Sequence, residues 1–221
     1  MDIFYDVLDK VVLQLKRLGV LFTIVIGLGI IGWFWWQAGA NDVEITNYPP
    51  TGSTIVAFGD SLVKGIGASR SGGFVKILEG RLGLPIINEG VSGDTTRTAL
   101  ARISNVTRHN PDIVLVLLGG NDVLKRLTTD DTFSNLRAIV TLLREQGAVV
   151  LVLGVQSGVF FDDFAEAVEQ LSLQLGTAYV PKVLRVSFDK PPLKDDPIHP
   201  NDAGYAVIAD HVEPTLRALL Q

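Results

Sequence analysis

Runs of short, β-branched apolar residues alternate with amphipathic stretches over most of the chain. Thr54 to Phe58, Ile86 to Asn88, Ile113 to Leu118, Val149 to Gly154 and Ala178 to Val180 are continuous enough to be strands buried on both faces. Between them, apolar positions recur at helical spacing over Phe74 to Leu82, Thr96 to Arg108, Asp131 to Gln146 and Phe161 to Leu175, with a last helix over Asn201 to Leu220. Strand and helix in regular alternation predict an α/β domain over residues 54–221: a three-layer αβα sandwich around a mainly parallel five-stranded sheet. In such sheets chemistry belongs in the loops that follow the strands.

The first quarter of the chain follows other rules. Ile3, Phe4, Val7, Leu8, Val11, Val12 and Leu15 recur at spacings of three and four opposite Asp2, Asp6, Lys10 and Gln14, which predicts an amphipathic helix over residues 1–17. Its three acids balance its three bases, so its apolar stripe suits either an interface or a protein partner, including a sister chain, better than anionic lipid. Leu18 to Asn41 carries no charged side chain. At about 1.5 Å per residue it can cross a hydrocarbon core of roughly 30 Å, so 18–41 is expected to be a transmembrane anchor. Gly19, Thr23 and Gly27 put small residues on one of its faces, a pattern that permits helix contact. Residues 42–53, with Pro49, Pro50 and Gly52, read as a linker.

Lys10, Lys16 and Arg17 precede the apolar run and Asp42 and Glu44 follow it, so the N-terminus is expected in the cytoplasm. The expectation is a single-pass protein of a bacterial inner membrane with its catalytic domain on the periplasmic or extracellular side. Ala38-Gly39-Ala40 resembles a signal-peptidase site, but the apolar run is longer than a signal core and its preceding segment is long, which favours an uncleaved anchor. The formal net charge of −5 argues against a nucleic-acid partner. Without cysteine there is no thiolate chemistry, and His109, His199 and His211, with no pair at ligand spacing, offer little to a metal; none is expected.

Four post-strand segments carry candidate chemistry. Phe58-Gly59-Asp60-Ser61-Leu62 puts a serine at the start of the first crossover, where by itself it would read as a helix cap. Asp196-Pro197-Ile198-His199 sets a carboxylate three residues before an imidazole, a spacing that lets one turn hold a base and the group that orients it. Gly90-Val91-Ser92-Gly93-Asp94 and Gly119-Gly120-Asn121-Asp122 supply neutral amide donors suited to a developing oxyanion, though each alone would read as a tight turn. The pattern G-x-S-x-G is absent because Val63 follows Leu62, which counts against an ordinary α/β-hydrolase.

Together these segments resemble the four blocks of the SGNH hydrolase family, also called GDSL esterases and lipases, over Ile55 to Gln221. The resemblance implies a flavodoxin-like sheet, Ser61 as nucleophile, His199 as general base and then acid, and Asp196 as the orienting carboxylate. It also implies an oxyanion hole made of the Ser61 and Gly93 backbone amides and the Asn121 side chain, with no cofactor. Ser-Gly-Asp-Thr and Gly-Gly-Asn-Asp look most like the lysophospholipase, thioesterase and arylesterase branch. An acyl ester or thioester is then the expected substrate, with membrane lipid close at hand. Val159, Phe160 and Phe161, in the segment Gln156 to Phe164, are candidates to line an acyl pocket or simply pack a helix. The competing expectations are a carbohydrate O-acetyl esterase acting on envelope polysaccharide and a membrane-complex subunit whose residues 1–40 bind a partner.

Overall fold

The computed structural model describes residues 26–29, 44–155, 162–185 and 190–221. The chain divides into two compact units, Met1–Val43 and Glu44–Gln221. Of the first, residues 26–29 are helical; the rest of the expected amphipathic helix and membrane anchor lies outside the described residues. Among the described residues no helix is long and apolar enough to cross a membrane.

The second unit is built on five strands: β1 (Ile55–Gly59), β2 (Ile86–Gly90), β3 (Ile113–Leu117), β4 (Val149–Leu153) and β5 (Ala178–Val180). They form one parallel sheet in the order β2-β1-β3-β4-β5. The α-helices described between and after them are α1 (Ser61–Lys64), α2 (Gly73–Leu82), α3 (Thr96–Ala101), α4 (Ser104–Thr107), α5 (Gly120–Leu124), α6 (Thr129–Glu145), α7 (Asp162–Gln174) and α8 (Asp202–Leu219).

Period-two alternation sorts the strand side chains between two cores. Ile55, Ala57, Ile113, Leu115, Val149 and Leu151 pack with Phe74 and Leu78 of α2 and with Tyr205, Ile208 and Val212 of α8. Val56, Phe58, Val114, Val116, Val150 and Val152 face the other way, onto Ala99, Val106, Leu136, Ile139 and Val168 from α3, α4, α6 and α7. Because both faces are covered, β1, β3 and β4 are buried at every position, as their unbroken apolar runs require.

Two sequence expectations are revised. The helix expected over Thr96 to Arg108 is two short helices that break at Arg102 and Ile103, where i→i+3 bonds from Arg102 N to Ala99 O and Ile103 N to Leu100 O tighten the backbone. No proline or glycine marks the break; Arg102 has turned inward to ligands of its own. The segment read as a linker is, from Glu44 on, part of the domain surface. Thr46 N donates to Gly176 O at 2.9 Å and Asn47 Nδ2 to Arg144 O and Ala148 O at 2.8 and 3.0 Å.

The order of strands reverses between β1 and β3, so the crevice at their carboxyl ends is where a doubly wound sheet binds ligands. Ser61 follows β1 and Asn121 follows β3, on either side of that crevice.

Candidate active site

Ser61 opens α1, capped by its neighbour Asp60, whose Oδ1 accepts the Leu62 N–H at 3.0 Å. The tight exit from β1 depends on Gly59, where a Cβ would collide with the Leu117 carbonyl and the Val63 side chain. The serine is thus set at the carboxyl end of an inner strand that is buried along its whole length.

His199 and Asp196 come from the loop that leads into α8. Asp196 Oδ1 accepts the N–H groups of Ile198 and His199, both at 2.8 Å, so the carboxylate shapes the turn that carries the imidazole. Its Oδ2 lies 2.7 Å from His199 Nδ1, and His199 Nε2 lies 3.0 Å from Ser61 Oγ. A carboxylate can only accept, so Nδ1 carries the proton and Nε2 is left to accept from the hydroxyl. The hydrogen bond from His199, more than any other contact, holds the Asp196 carboxyl below its usual range. The loop is braced from behind by Asn201, which caps α8 by accepting from Gly204 N at 3.1 Å and donates through Nδ2 to Pro192 O and Lys194 O at 2.8 and 3.1 Å.

The two other candidate residues, Gly93 and Asn121, follow β2 and β3. Val91 to Asp94 closes as a turn through Asp94 N to Val91 O at 3.2 Å, with Gly93 at φ +81°. A Cβ there would meet nothing within 4 Å, so glycine is required by backbone conformation rather than by space. Asn121, in the first turn of α5, donates through Nδ2 to Asp94 O at 2.9 Å and to Asp60 Oδ2 at 3.2 Å. The adjoining Asp122 is buried and accepts from Thr96 N and Thr96 Oγ1 at 2.9 and 2.6 Å, which ties the loop after β3 to the start of α3.

The structure therefore brings Ser61, Asp196 and His199 into one relay and sets Gly93 and Asn121 on connected loops beside it. Val159, Phe160 and Phe161 lie outside the described residues. Among the described residues no cluster of acids and histidines is arranged to hold a metal. Asp60 has a place in the site that composition did not announce. It is 3% exposed, and burial, opposed by the Leu62 N–H and by His199 and reinforced by Asp94, pushes its carboxyl up to about 6. Its adjacency to the serine was the only available sequence signal.

A hydroxyl held against an imidazole, with the imidazole held against a carboxylate, can act as a nucleophile toward an acyl carbon. Residues 57–207 match the GDSL-like Lipase/Acylhydrolase family. The chain belongs to that family. Membership makes it a serine ester hydrolase. Esterase TesA of Pseudomonas aeruginosa is 31% identical over 179 residues, which span 76% of this chain and 89% of the relative. Thioesterase 1/protease 1/lysophospholipase L1 of Escherichia coli is 28% identical over 80% of this chain and 90% of its own. The crystal structure of TesA matches with a TM-score of 0.70 at 31% identity, covering 76% of this chain and all of that one. In this GDSL-like acylhydrolase, as the matched span shows, the likeness covers the α/β domain and not the apolar N-terminus.

Proposed function

We propose that the protein is a membrane-anchored serine esterase that hydrolyses acyl esters or thioesters, lysophospholipid or another acyl lipid first among them, through an acyl-enzyme on Ser61. The observation that carries this is the unbroken relay from Ser61 Oγ through His199 to Asp196. His199 Nε2 takes the hydroxyl proton as Oγ bonds to the acyl carbon; the imidazolium is steadied by Asp196 through Nδ1. Negative charge then collects on the former carbonyl oxygen, to be met by the Ser61 and Gly93 N–H groups and by the Asn121 amide, one N–H of which leaves Asp60 Oδ2 for the oxyanion while the other stays on the Asp94 carbonyl. Collapse of this intermediate breaks the bond to the leaving alkoxide or thiolate, which receives the proton from Nε2. Water, deprotonated by the same nitrogen, repeats the sequence and releases the acid.

Two findings support an acyl chain as the group carried. Relatives bear the names esterase, arylesterase and thioesterase/lysophospholipase. In addition, exposed apolar side chains stand on the segments that carry the site: Ile66 after α1, Val91 before Gly93, Leu124 at the end of α5 and Ile198 beside His199. An anchor at 18–41 would keep that mouth within reach of a bilayer.

The test is a substrate panel of p-nitrophenyl esters from acetyl to palmitoyl, acyl thioesters and lysophospholipid, run with wild type and Ser61→Ala. Turnover should favour medium and long acyl chains and vanish in the variant, while its melting curve is unchanged. Activity retained by Ser61→Ala would refute the nucleophile, and a sharp preference for acetyl would transfer the enzyme to polysaccharide deacetylation.

A further inference from the structure

Arg102, at the break between α3 and α4, is a charged side chain only 16% exposed that lies over the Phe58 ring, 4.7 Å from its centroid. Its Nε and one terminal nitrogen both reach Asp94 Oδ2 at 2.6 Å, and the same nitrogen donates to Gly59 O and Glu89 O at 3.0 Å each. Gly59 ends β1 and Glu89 is the next-to-last residue of β2. The other terminal nitrogen is 3.8 Å from Glu89 Oε2 and, among the described residues, buried without a hydrogen bond. Burying a guanidinium is costly, and an apolar side chain would often stabilise a fold as well. What an arginine fork can do, and an apolar side chain cannot, is bind a carboxylate and two carbonyls on separate segments at once in one fixed planar geometry.

The segment it holds is the one that carries the donors. Asp94 is fixed a second time by Thr98 Oγ1 at 2.9 Å. Its backbone carbonyl accepts from Asn121 Nδ2, and Lys125 Nζ, just past the end of α5, reaches the Gly93 carbonyl at 2.8 Å. We propose that Arg102 is a positioning residue of the oxyanion hole: it locks the Gly93–Asp94 turn onto the ends of β1 and β2 and, through the Asp94 carbonyl, aims the Asn121 amide. Arg102 itself touches no reacting atom. Oxyanion donors act only when held about 2.7–3.1 Å from the charge that forms. A shift of about 1 Å can cost on the order of a hundredfold in rate. Because the charge is present only in the transition state, the loss belongs in kcat and not in KM.

The inference rests on the oxyanion-hole reading above, and its test separates the two. Full-length wild type, Arg102→Lys, Arg102→Met, Asn121→Ala and the two double variants are assayed on p-nitrophenyl butyrate, with rates divided by the sites labelled to completion by a fluorophosphonate. Arg102→Met should lower kcat per site on the order of tenfold or more while KM stays within about threefold. Arg102→Lys, which can reach Asp94 but not all three acceptors, should recover only part. In the Asn121→Ala background the same substitutions should cost several-fold less, because one of the two donors they misplace is already gone and only the Gly93 amide is left to shift. Wild-type kcat per site in both Arg102 variants would overturn the proposal by making Arg102 a support of the fold alone, and losses that multiply in full with that of Asn121→Ala would overturn its aiming of the Asn121 amide. If Arg102→Met does not fold, Arg102→Lys decides by the same measures. Full activity in Asn121→Ala would remove the oxyanion reading and this inference with it, yet leave Ser61→Ala to judge the nucleophile separately.

Discussion

Asp60 shares a boundary with the nucleophile but answers to different forces. Its Oδ1 holds the α1 cap, its Oδ2 faces Asn121, and burial lifts its carboxyl from 3.8 to about 6. The folded protein therefore holds this proton more tightly than the unfolded chain does. Stability from that source is complete below about pH 4 and is lost as pH rises through about 6. At about 1.4 kcal/mol per pH unit the ceiling is about 3 kcal/mol, and an effect of roughly 1–3 kcal/mol is expected. Urea unfolding at pH 4 and pH 7 measures it. Between those values Asp60→Asn should gain on wild type by that amount, while any fixed penalty from an amide opposite Asn121 cancels. Parallel stability profiles would mean that Asp60 binds its proton equally in both states. The sequence pointed to Ser61, Gly93, Asn121, Asp196 and His199 because they stand in four segments that together resemble the blocks of one family. Asp60 stood in the same segment as Ser61, but the groups that meet its carboxyl, Asn121 of α5 and Asp94 after β2, come from distant segments that a local pattern does not report.

Elements were legible to the extent that their cause was local. The five strands were found within a residue or two of their ends, β1, β3 and β4 because burial on both faces writes an unbroken apolar run, whereas β2, expected to be buried like them, is an edge strand buried only at Ile86. The break at Arg102 was not, since the apolar spacing of Ala99, Ile103 and Val106 continues across it and the forces that bend the backbone come from Asp94, Gly59 and Glu89. The start of α8 shows the same limit. Asp202 could be read only as an acid in a first helical turn, yet it accepts from Ser69 Oγ at 2.6 Å, Ser71 Oγ at 2.7 Å, Ser71 N at 2.9 Å and Arg70 N at 3.2 Å, residues more than 130 positions away. These bonds, that from Ser69 foremost, hold its carboxyl far below the usual range. Tyr205, one turn on, donates to Ile66 O at 2.6 Å. Together they latch the segment after α1 to the helix after His199. Asp202→Ala should free that segment, and trypsin cleavage after Arg70 under native conditions should quicken on the order of tenfold. An unchanged rate would show that Tyr205 and packing suffice.

For the whole molecule, regular alternation of strand and helix gave the class, while the order β2-β1-β3-β4-β5 that places Ser61 and Asn121 across one crevice came only from the pairing itself. The boundary of the catalytic unit moved for a similar reason. Pro49, Pro50 and Gly52 suggested a linker up to residue 53, but Thr46 and Asn47 bond to Gly176, Arg144 and Ala148, and Arg144 answers with a bond to Thr46 Oγ1 at 2.7 Å. Removal of residues 1–43 should therefore leave a soluble enzyme whose kcat/KM on dissolved p-nitrophenyl butyrate is within about twofold of the full chain, because no group of the relay is lost. A cut before Thr54 strips those bonds and should lower the melting temperature. In cell fractions the full chain should stay in the membrane pellet through an alkaline carbonate wash, and the 44–221 form should not. Full-length protein released by the wash would refute the anchor at 18–41. If the 44–221 form, exported in soluble state, restores function in cells lacking the full chain, residues 1–43 serve location and not assembly, and the reading of the protein as a subunit scaffold fails. If it restores hydrolysis of dissolved ester but not function, residues 1–43 must supply something that catalysis does not, and a partner for residues 1–17 becomes the next object of search.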